Sequence, residues 1–406
     1  MTISISPVKH RHVVLDALRG FALLGICLAN FPEFSLYTFQ PDSAVDAMPS
    51  AAIDRVTNWL MIFFVDGKFY TIFSILFGIG FSIILNNARE KGINGNRLFF
   101  RRMTGLAVIG LLHLMLLWSG DILLLYALMG MLLPFFMKMK DRNLLLYAAL
   151  FLILPVIWDF VAYSLNIDPA KFAYDAWWHW AAVFGITEEN FGTWLRDADT
   201  YGKVWAFLVQ GACERLWEFV DSSRYFKVLG LFLIGAYIGR HRVYARLDEL
   251  KPIIVKVARI GFAIGLPLSV VYAMYGFGET DVIKPLKSLV YLVSVYPLGI
   301  AYCALFSLLF LKTRKLRIWR VLANPGRMAL TNYVGQSVFG IILFYGIGLG
   351  LGASLGLTVT VAVAFGVFVC QTFISGVWLH WFKYGPLEWL WRMWNYGHFL
   401  TIKRQR

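Results

Sequence analysis

The sequence predicts an all-α protein, a polytopic membrane helix bundle of about ten transmembrane helices with both termini cytoplasmic. Three observations carry this. Hydrophobic residues make up 59% of the 406 positions against 15% charged, and the mean hydropathy of +0.64 exceeds what a soluble domain carries. The apolar runs reach the roughly 20 residues that a helix needs to cross a bilayer, whereas barrel strands would give short alternating segments. Lys and Arg gather between alternate runs, as the positive-inside rule requires.

The runs lie near 14–32, 68–86, 102–118, 121–138, 143–164, 225–240, 253–275, 288–311, 328–350 and 355–382. The first carries Asp16 and Arg19 and is followed by Glu33, Phe34 and Ser35 rather than a small-residue cleavage site, so it reads as a retained signal anchor. In the second, GKFYTIFSILFGIGFS, Gly78 and Gly80 with Ser74 and Ser82 suit close helix packing. Lys68 at its outer boundary is expected to snorkel toward water. Basic clusters at Lys9/Arg11, 89–102, 138–142, 240–251, 312–327 and 383–406 share one side if the spans number ten. The opposite connections at Ser119-Gly120 and 350–356 have no Lys or Arg, and a longer one after Glu33 holds Asp42, Asp46 and Asp54.

This distribution accounts for the net charge of +14 without nucleic acid as a partner. Cys27, Cys213, Cys303 and Cys370 are far apart and fit no metal or redox spacing. Residues 1–406 read as one membrane domain, within which 165–224 stands apart as long, aromatic and charge-mixed, with AYDAWWHWAAVFG at its centre. Its tryptophans suggest helices in the outer interface, an extracytoplasmic cap. A sharper reading makes it a lid over an acceptor site. No internal repeat argues for an inverted-repeat transporter.

Polar residues inside spans are costly and mark candidate sites. Asp16 and Arg19 lie three apart on one helical face and can neutralise each other; Asn30 lies three turns beyond on the same face, near the outer surface. In GLLHLMLLWSGDILLLYALMG, His113 sits about five residues, roughly 7 Å, below the outer surface, with Asp121 across a tight turn. An imidazole titrates near neutrality and can act as base and then acid. The plainer readings are a buried imidazole bonded to a neighbouring helix and a carboxylate favoured by a helix N-terminus. On the cytoplasmic side, ANPGRMALTNYVGQS supplies Arg327, Asn332, Tyr333 and Gln336, and GPLEWLWR supplies Glu388 and Arg392 at pairing distance i,i+4. Two polar regions follow, an inner one with Asp16, Arg19, Arg327, Asn332, Glu388 and Arg392, and an outer one with Asn30, Asp66, Lys68, His113 and Asp121.

In LDALRGFALLGICLAN, GKFYTIFSILFGIGFS, RRMTGLAVIGLLHLMLLWSGDILLLYALMG, GRMALTNYVGQS and GPLEWLWR, in that order, the chain resembles the YeiB-like family of bacterial inner-membrane proteins, a group without assigned biochemistry. More distantly it resembles the transmembrane acyltransferases, which include the lysosomal heparan-glucosamine acetyltransferase and bacterial O-antigen acetylases. That resemblance implies transfer of an acyl group from cytoplasmic acyl-CoA to an acceptor, usually a sugar, on the other side. The Leu-Asp-x-x-Arg-Gly opening resembles the heparan-type branch, with Asn30 matching its asparagine. The O-antigen branch has a histidine at that position, so here a base cannot come from the first span and His113 is the candidate.

The leading expectation is therefore acyl transfer across the bacterial inner membrane. Arg19, Arg327 and Arg392 would hold the phosphates of acyl-CoA (acetyl-CoA), with Asp16, Asn332 and Glu388 beside them. His113 would deprotonate a hydroxyl or amine, or form an acyl-imidazole; Asp121 would orient it, and Asn30 or Lys68 would hold the oxyanion. A thioester is already activated, so no metal is required. Expected partners are membrane lipid, acyl-CoA, an extracytoplasmic acceptor and, as a candidate, a second copy of the chain. The rival is a proton-coupled transporter or exporter of a small or amphipathic solute using the same residues; a non-catalytic scaffold is the third reading.

Overall fold

A computed structural model describes residues 12–90, 92–276 and 282–404. Lys9, Arg11 and the last residues of the basic tail lie outside the described residues. The principal helices are α1 (Val13–Phe34), α2 (Ala51–Phe64), α3 (Lys68–Glu90), α4 (Gly95–Leu116), α5 (Leu123–Phe136), α6 (Asp141–Ser164), α7 (Lys171–Val183) and α8 (Tyr201–Asp221). They continue with α9 (Arg224–Arg240), α10 (Lys251–Gly276), α11 (Lys284–Thr313), α12 (Ile318–Arg327), α13 (Ala329–Phe344), α14 (Leu357–Trp381) and α15 (Pro386–Tyr396). Among the described residues there is no strand beyond an isolated bridge between Phe382 and Lys403.

Seven stretches are long and apolar enough to cross a membrane: α1, the α2–α3 pair, α4, α6, α10, α11 and α14. This is the build of a multi-pass membrane protein. The other three apolar runs are helical but shorter. α5, α9 and α13 have 14, 17 and 16 residues and rise about 21 to 26 Å, less than the roughly 30 Å of a hydrocarbon core. α13 stops at Phe344 because a glycine-rich segment follows, in which Gly346 donates instead to the Leu195 carbonyl.

α2 appears where the sequence reading had a polar connection. Asp54, one of that connection's acids, is fully buried on it. It accepts from the Thr358 amide (2.8 Å) and hydroxyl (2.7 Å), satisfying donors at the N-terminus of α14.

α1 is apolar nearly all round, and such a helix belongs in the middle. Val14, Leu15, Leu18 and Ala22 enter one buried cluster with α3, α11 and α12; Leu23, Cys27, Phe31 and Phe34 enter another with α4, α5, α9 and α13. At the crossing with α12 the backbones nearly touch: a Cβ on Gly20 would lie 1.9 Å from the Leu322 carbonyl oxygen, and one on Gly326 1.9 Å from that of Asp16. Only glycine permits this contact.

Ion pairs sort the helix ends into two faces. Arg240 at the end of α9 and His241 just after it meet Asp141 at the start of α6, Arg242 meets Glu90, and Arg314 meets Asp248. At the other ends, Arg215 meets Glu33, and Lys284 meets Asp159 (3.8 Å) and Asp221 (2.5 Å). The 165–224 segment lies on the second face. Its Trp177 stacks on Trp178 (5.3 Å) and packs against Trp217 (5.6 Å), so the tryptophans expected to face lipid partly hold the cap to itself, while Trp180 remains exposed.

Candidate active site

The site begins at the turn between α4 and α5. The amides of Leu117 and Trp118 both donate to the His113 carbonyl, ending α4 one turn after that residue. Ser119 and Gly120 reverse the chain. Asp121 then accepts from the Leu124 amide through Oδ2 at 2.8 Å, capping α5. Its Oδ1 lies 2.8 Å from His113 Nδ1. Asp121 thus caps the helix, as its plain reading had it, with one oxygen and meets the His113 ring with the other.

His113 Nε2 lies 2.8 Å from Ser337 Oγ, a residue of α13 that sequence reasoning did not single out. His113 and Asp121 are each 2% exposed and Ser337 not at all. With the ring proton on Nδ1, facing the Asp121 carboxyl, Nε2 accepts and the Ser337 hydroxyl donates. The rings of Tyr333 (5.3 Å) and Trp118 (6.1 Å) wall the imidazole. Some helical serines, such as Ser164 and Ser307, turn back onto the carbonyl four residues earlier, whereas Ser74 and Ser82 reach across to a neighbouring helix. Ser337 reaches across to His113.

Asp121 and Tyr333 form part of the wall of a cavity of about 430 Å³ that also takes in Asn30, Asp66, Trp118 and Tyr126. α8 of the cap contributes Arg215 and Glu218, and α9 contributes Arg224 and Lys227. A second hollow of about 700 Å³, bordered by Asp42, Asp46 and Arg55, shares Ala29, Val65 and Asp66 with the first. Asn30, Asp66 and Asp121 therefore share one cavity, as the outer grouping expected. His113 lies behind that wall rather than on it, and Lys68 does not join them either. It was expected to snorkel and is instead fully buried, because its ammonium donates to the Ile62 carbonyl (2.7 Å) near the C-terminal end of α2 and lies 4.9 Å from the Tyr272 ring.

The cap is tied to the site by charge. Arg215 donates to Glu33 Oε1 (3.0 Å) and Oε2 (3.3 Å), to Glu218, and to the Ser119 carbonyl (3.0 Å) in the α4–α5 turn. Arg224 adds a second contact to Glu218 at 2.5 Å. Burial works to raise Glu218, but Arg215 and Arg224 outweigh it and hold that carboxyl below its ordinary range. Neighbouring Glu214 is pushed up from 4.5 to about 8, first by burial and then by the Glu33 charge, with Arg215 pulling the other way.

Because the folded state binds the Glu214 proton more tightly than the unfolded state, stability falls as pH rises from about 4.5 through 8. Glu214→Gln removes that slope. Its melting temperature should gain at least about 2 °C on the wild type between pH 5 and pH 8.5 in a fluorescence thermal melt. Parallel curves would show that Glu214 titrates normally.

At the other face, Asp16 and Arg19 pair at 3.0 Å as their spacing expected. Arg327 ends α12. The Asn332 side-chain amide donates to the Pro325 carbonyl (3.3 Å) and Ser375 (2.9 Å), and the Asn332 main-chain carbonyl accepts from the Gln371 side chain (2.9 Å). The expected Glu388–Arg392 pair gives way to other contacts. Glu388 accepts from the amides of Leu330 (2.7 Å) and Thr331 (3.1 Å) at the open start of α13, and Arg392 lies 4.5 Å from the Tyr384 ring. Arg102, which the sequence offered only as a topology charge, stacks 3.8 Å from Trp391 and feels the charges of Arg392, Arg19 and Glu388.

The family described as "Protein of unknown function (DUF418)" matches residues 238–398. The uncharacterized protein YxaH of Bacillus subtilis is 29% identical, covering 99% of both chains. The uncharacterized protein YeiB of Escherichia coli is 28% identical over 94% of this chain and 95% of its own. An uncharacterized 39.9 kDa protein from the amylase 3' region of Bacillus acidopullulyticus is 28% identical over 96% of this chain and 94% of its own. No solved structure matches.

Proposed function

Since the chain belongs to the YeiB-like DUF418 family, whose matched relatives have names that state no activity, the chemistry must come from the site, and we propose a transmembrane acyltransferase. It takes an acyl group, acetyl in the simplest case, from cytoplasmic acyl-CoA and delivers it to a sugar hydroxyl or an amine on the extracytoplasmic side. The observation that carries this reading is His113 held between Asp121 and Ser337 beside a cavity to which the cap contributes Arg215 and Glu218. A base of this kind, oriented by a carboxylate and shielded from water, suits proton removal from a nucleophile.

Arg19, Arg327 and Arg392 receive the phosphates of acyl-CoA, and Arg102 adds a fourth guanidinium nearby. Asn30 on the cavity wall is the candidate oxyanion donor. In this reading α5, α9 and α13 complete ten crossings, both termini are cytoplasmic, and the protein resides in the bacterial inner membrane. The alternation of basic segments supports that orientation. A cysteine introduced at exposed Val183 of the cap should react with an impermeant maleimide from outside intact cells; labelling only after the cytoplasmic face is opened would reverse the topology.

The functional test is purified protein with labelled acetyl-CoA, for which binding and slow thioester cleavage are expected. No binding at millimolar acetyl-CoA, together with proton-dependent solute flux in liposomes, would favour the transporter and remove the enzyme reading.

A further inference from the structure

Both ring nitrogens of His113 are engaged, Nδ1 by Asp121 and Nε2 by Ser337. As a base in this arrangement, His113 takes its proton from the group already on Nε2, the Ser337 hydroxyl. We propose that Ser337 is the nucleophile and carries the acyl group as a serine ester between donor and acceptor; this rests on the acyl-transfer reading above.

Position supports the role. Ser337 lies roughly 12 Å along α13 from its start at Ala329, the end that Glu388 caps near Arg392 and Arg102. It also lies one turn past Tyr333, whose side chain lines the cavity. The serine therefore stands between the donor side and the acceptor side. His113 and Ser337 are both buried and lie behind the Tyr333 wall of the cavity rather than on it. A direct transfer would therefore need space opened there for donor and acceptor at once, and a relay needs it for one at a time. A covalent relay separates the two arrivals in time. The surrounding Tyr333 and Trp118 rings keep water from the ester.

The chemistry balances without an added reagent. Ser337 Oγ attacks the thioester carbonyl while its proton passes to His113 Nε2. The tetrahedral intermediate expels the CoA thiolate, which takes that proton and leaves as the thiol. An acceptor hydroxyl or amine then attacks the ester carbonyl, giving its proton to Nε2. The C–O bond to Ser337 breaks and Nε2 returns the proton to Oγ. Asp121 holds the imidazolium in each half.

The full chain in detergent is incubated with radiolabelled acetyl-CoA, quenched in acid and digested. The expected label sits on the peptide containing Ser337, withstands neutral hydroxylamine and leaves with alkaline hydroxylamine, as an oxyester does. S337A should lose the label and at least about a hundredfold in turnover. S337C should carry a label released at neutral pH, as a thioester is, and it keeps the test alive if S337A does not fold. S337A turnover within tenfold of the wild type, or label recovered on His113 after a neutral quench, overturns the serine while leaving acyl transfer intact. A wild type that neither binds nor cleaves acetyl-CoA removes both.

Discussion

His113→Gln lowers acyl transfer by about a thousandfold, the middle of the range for a positioned base, and leaves acyl-CoA affinity within about threefold because no donor contact is lost. Glutamine can reach Asp121 or Ser337 but cannot bridge them as the imidazole does, so one buried partner loses its bond, at about 1 to 3 kcal/mol. The protein should survive this, since Asp121 keeps its bond to the Leu124 amide. Steady-state turnover with labelled acetyl-CoA and a parallel binding isotherm separate the two effects. Turnover equal to the wild type would take His113 out of the chemistry, whatever becomes of Ser337.

How much of this was legible in sequence depends on the range of each interaction. Periodic signals carry furthest: every expected apolar run has a helix at its core, although the 328–350 run is helical only to Phe344, and the Asp16–Arg19 pair, a local i,i+3 relation, is present as spaced. The His113–Asp121 contact was also within reach, because the two residues are only eight apart across a tight turn. Ser337 was not, since it joins His113 from 224 residues away, and nothing local distinguishes it from other helical serines. The same is true of Arg215, whose carboxylate partner Glu33 lies 182 residues distant. Lys68 failed for a different reason. Its place at a span boundary favoured snorkelling, but the Ile62 carbonyl and the Tyr272 ring offered it a buried seat. Local rules therefore located the helices and the His113–Asp121 contact, and tertiary packing supplied the rest.

The order of the cap follows from one of those distant contacts. Arg215→Met keeps much of the side chain's apolar length while removing the cation that joins α8 to Glu33 on α1 and to the Ser119 carbonyl in the α4–α5 turn. Breaking a fully buried pair in this way costs about 3 to 5 kcal/mol. Here Glu33 and Glu218 retain some exposure and Glu218 keeps Arg224, so about 2 kcal/mol is expected. That loss is local to the cap, and it should show as faster proteolysis within 165–224 before global unfolding. The Ser119 carbonyl also loses its guanidinium donor, two residues from the carboxylate that orients His113. Turnover should fall with it, by about tenfold for small displacements of a positioned base. Adding Glu33→Gln to Arg215→Met should recover part of the proteolytic protection, because the stranded carboxylate is then neutral. Cleavage rates unchanged in the single variant would mean that the tryptophan cluster, rather than this ion pair, holds the cap in place.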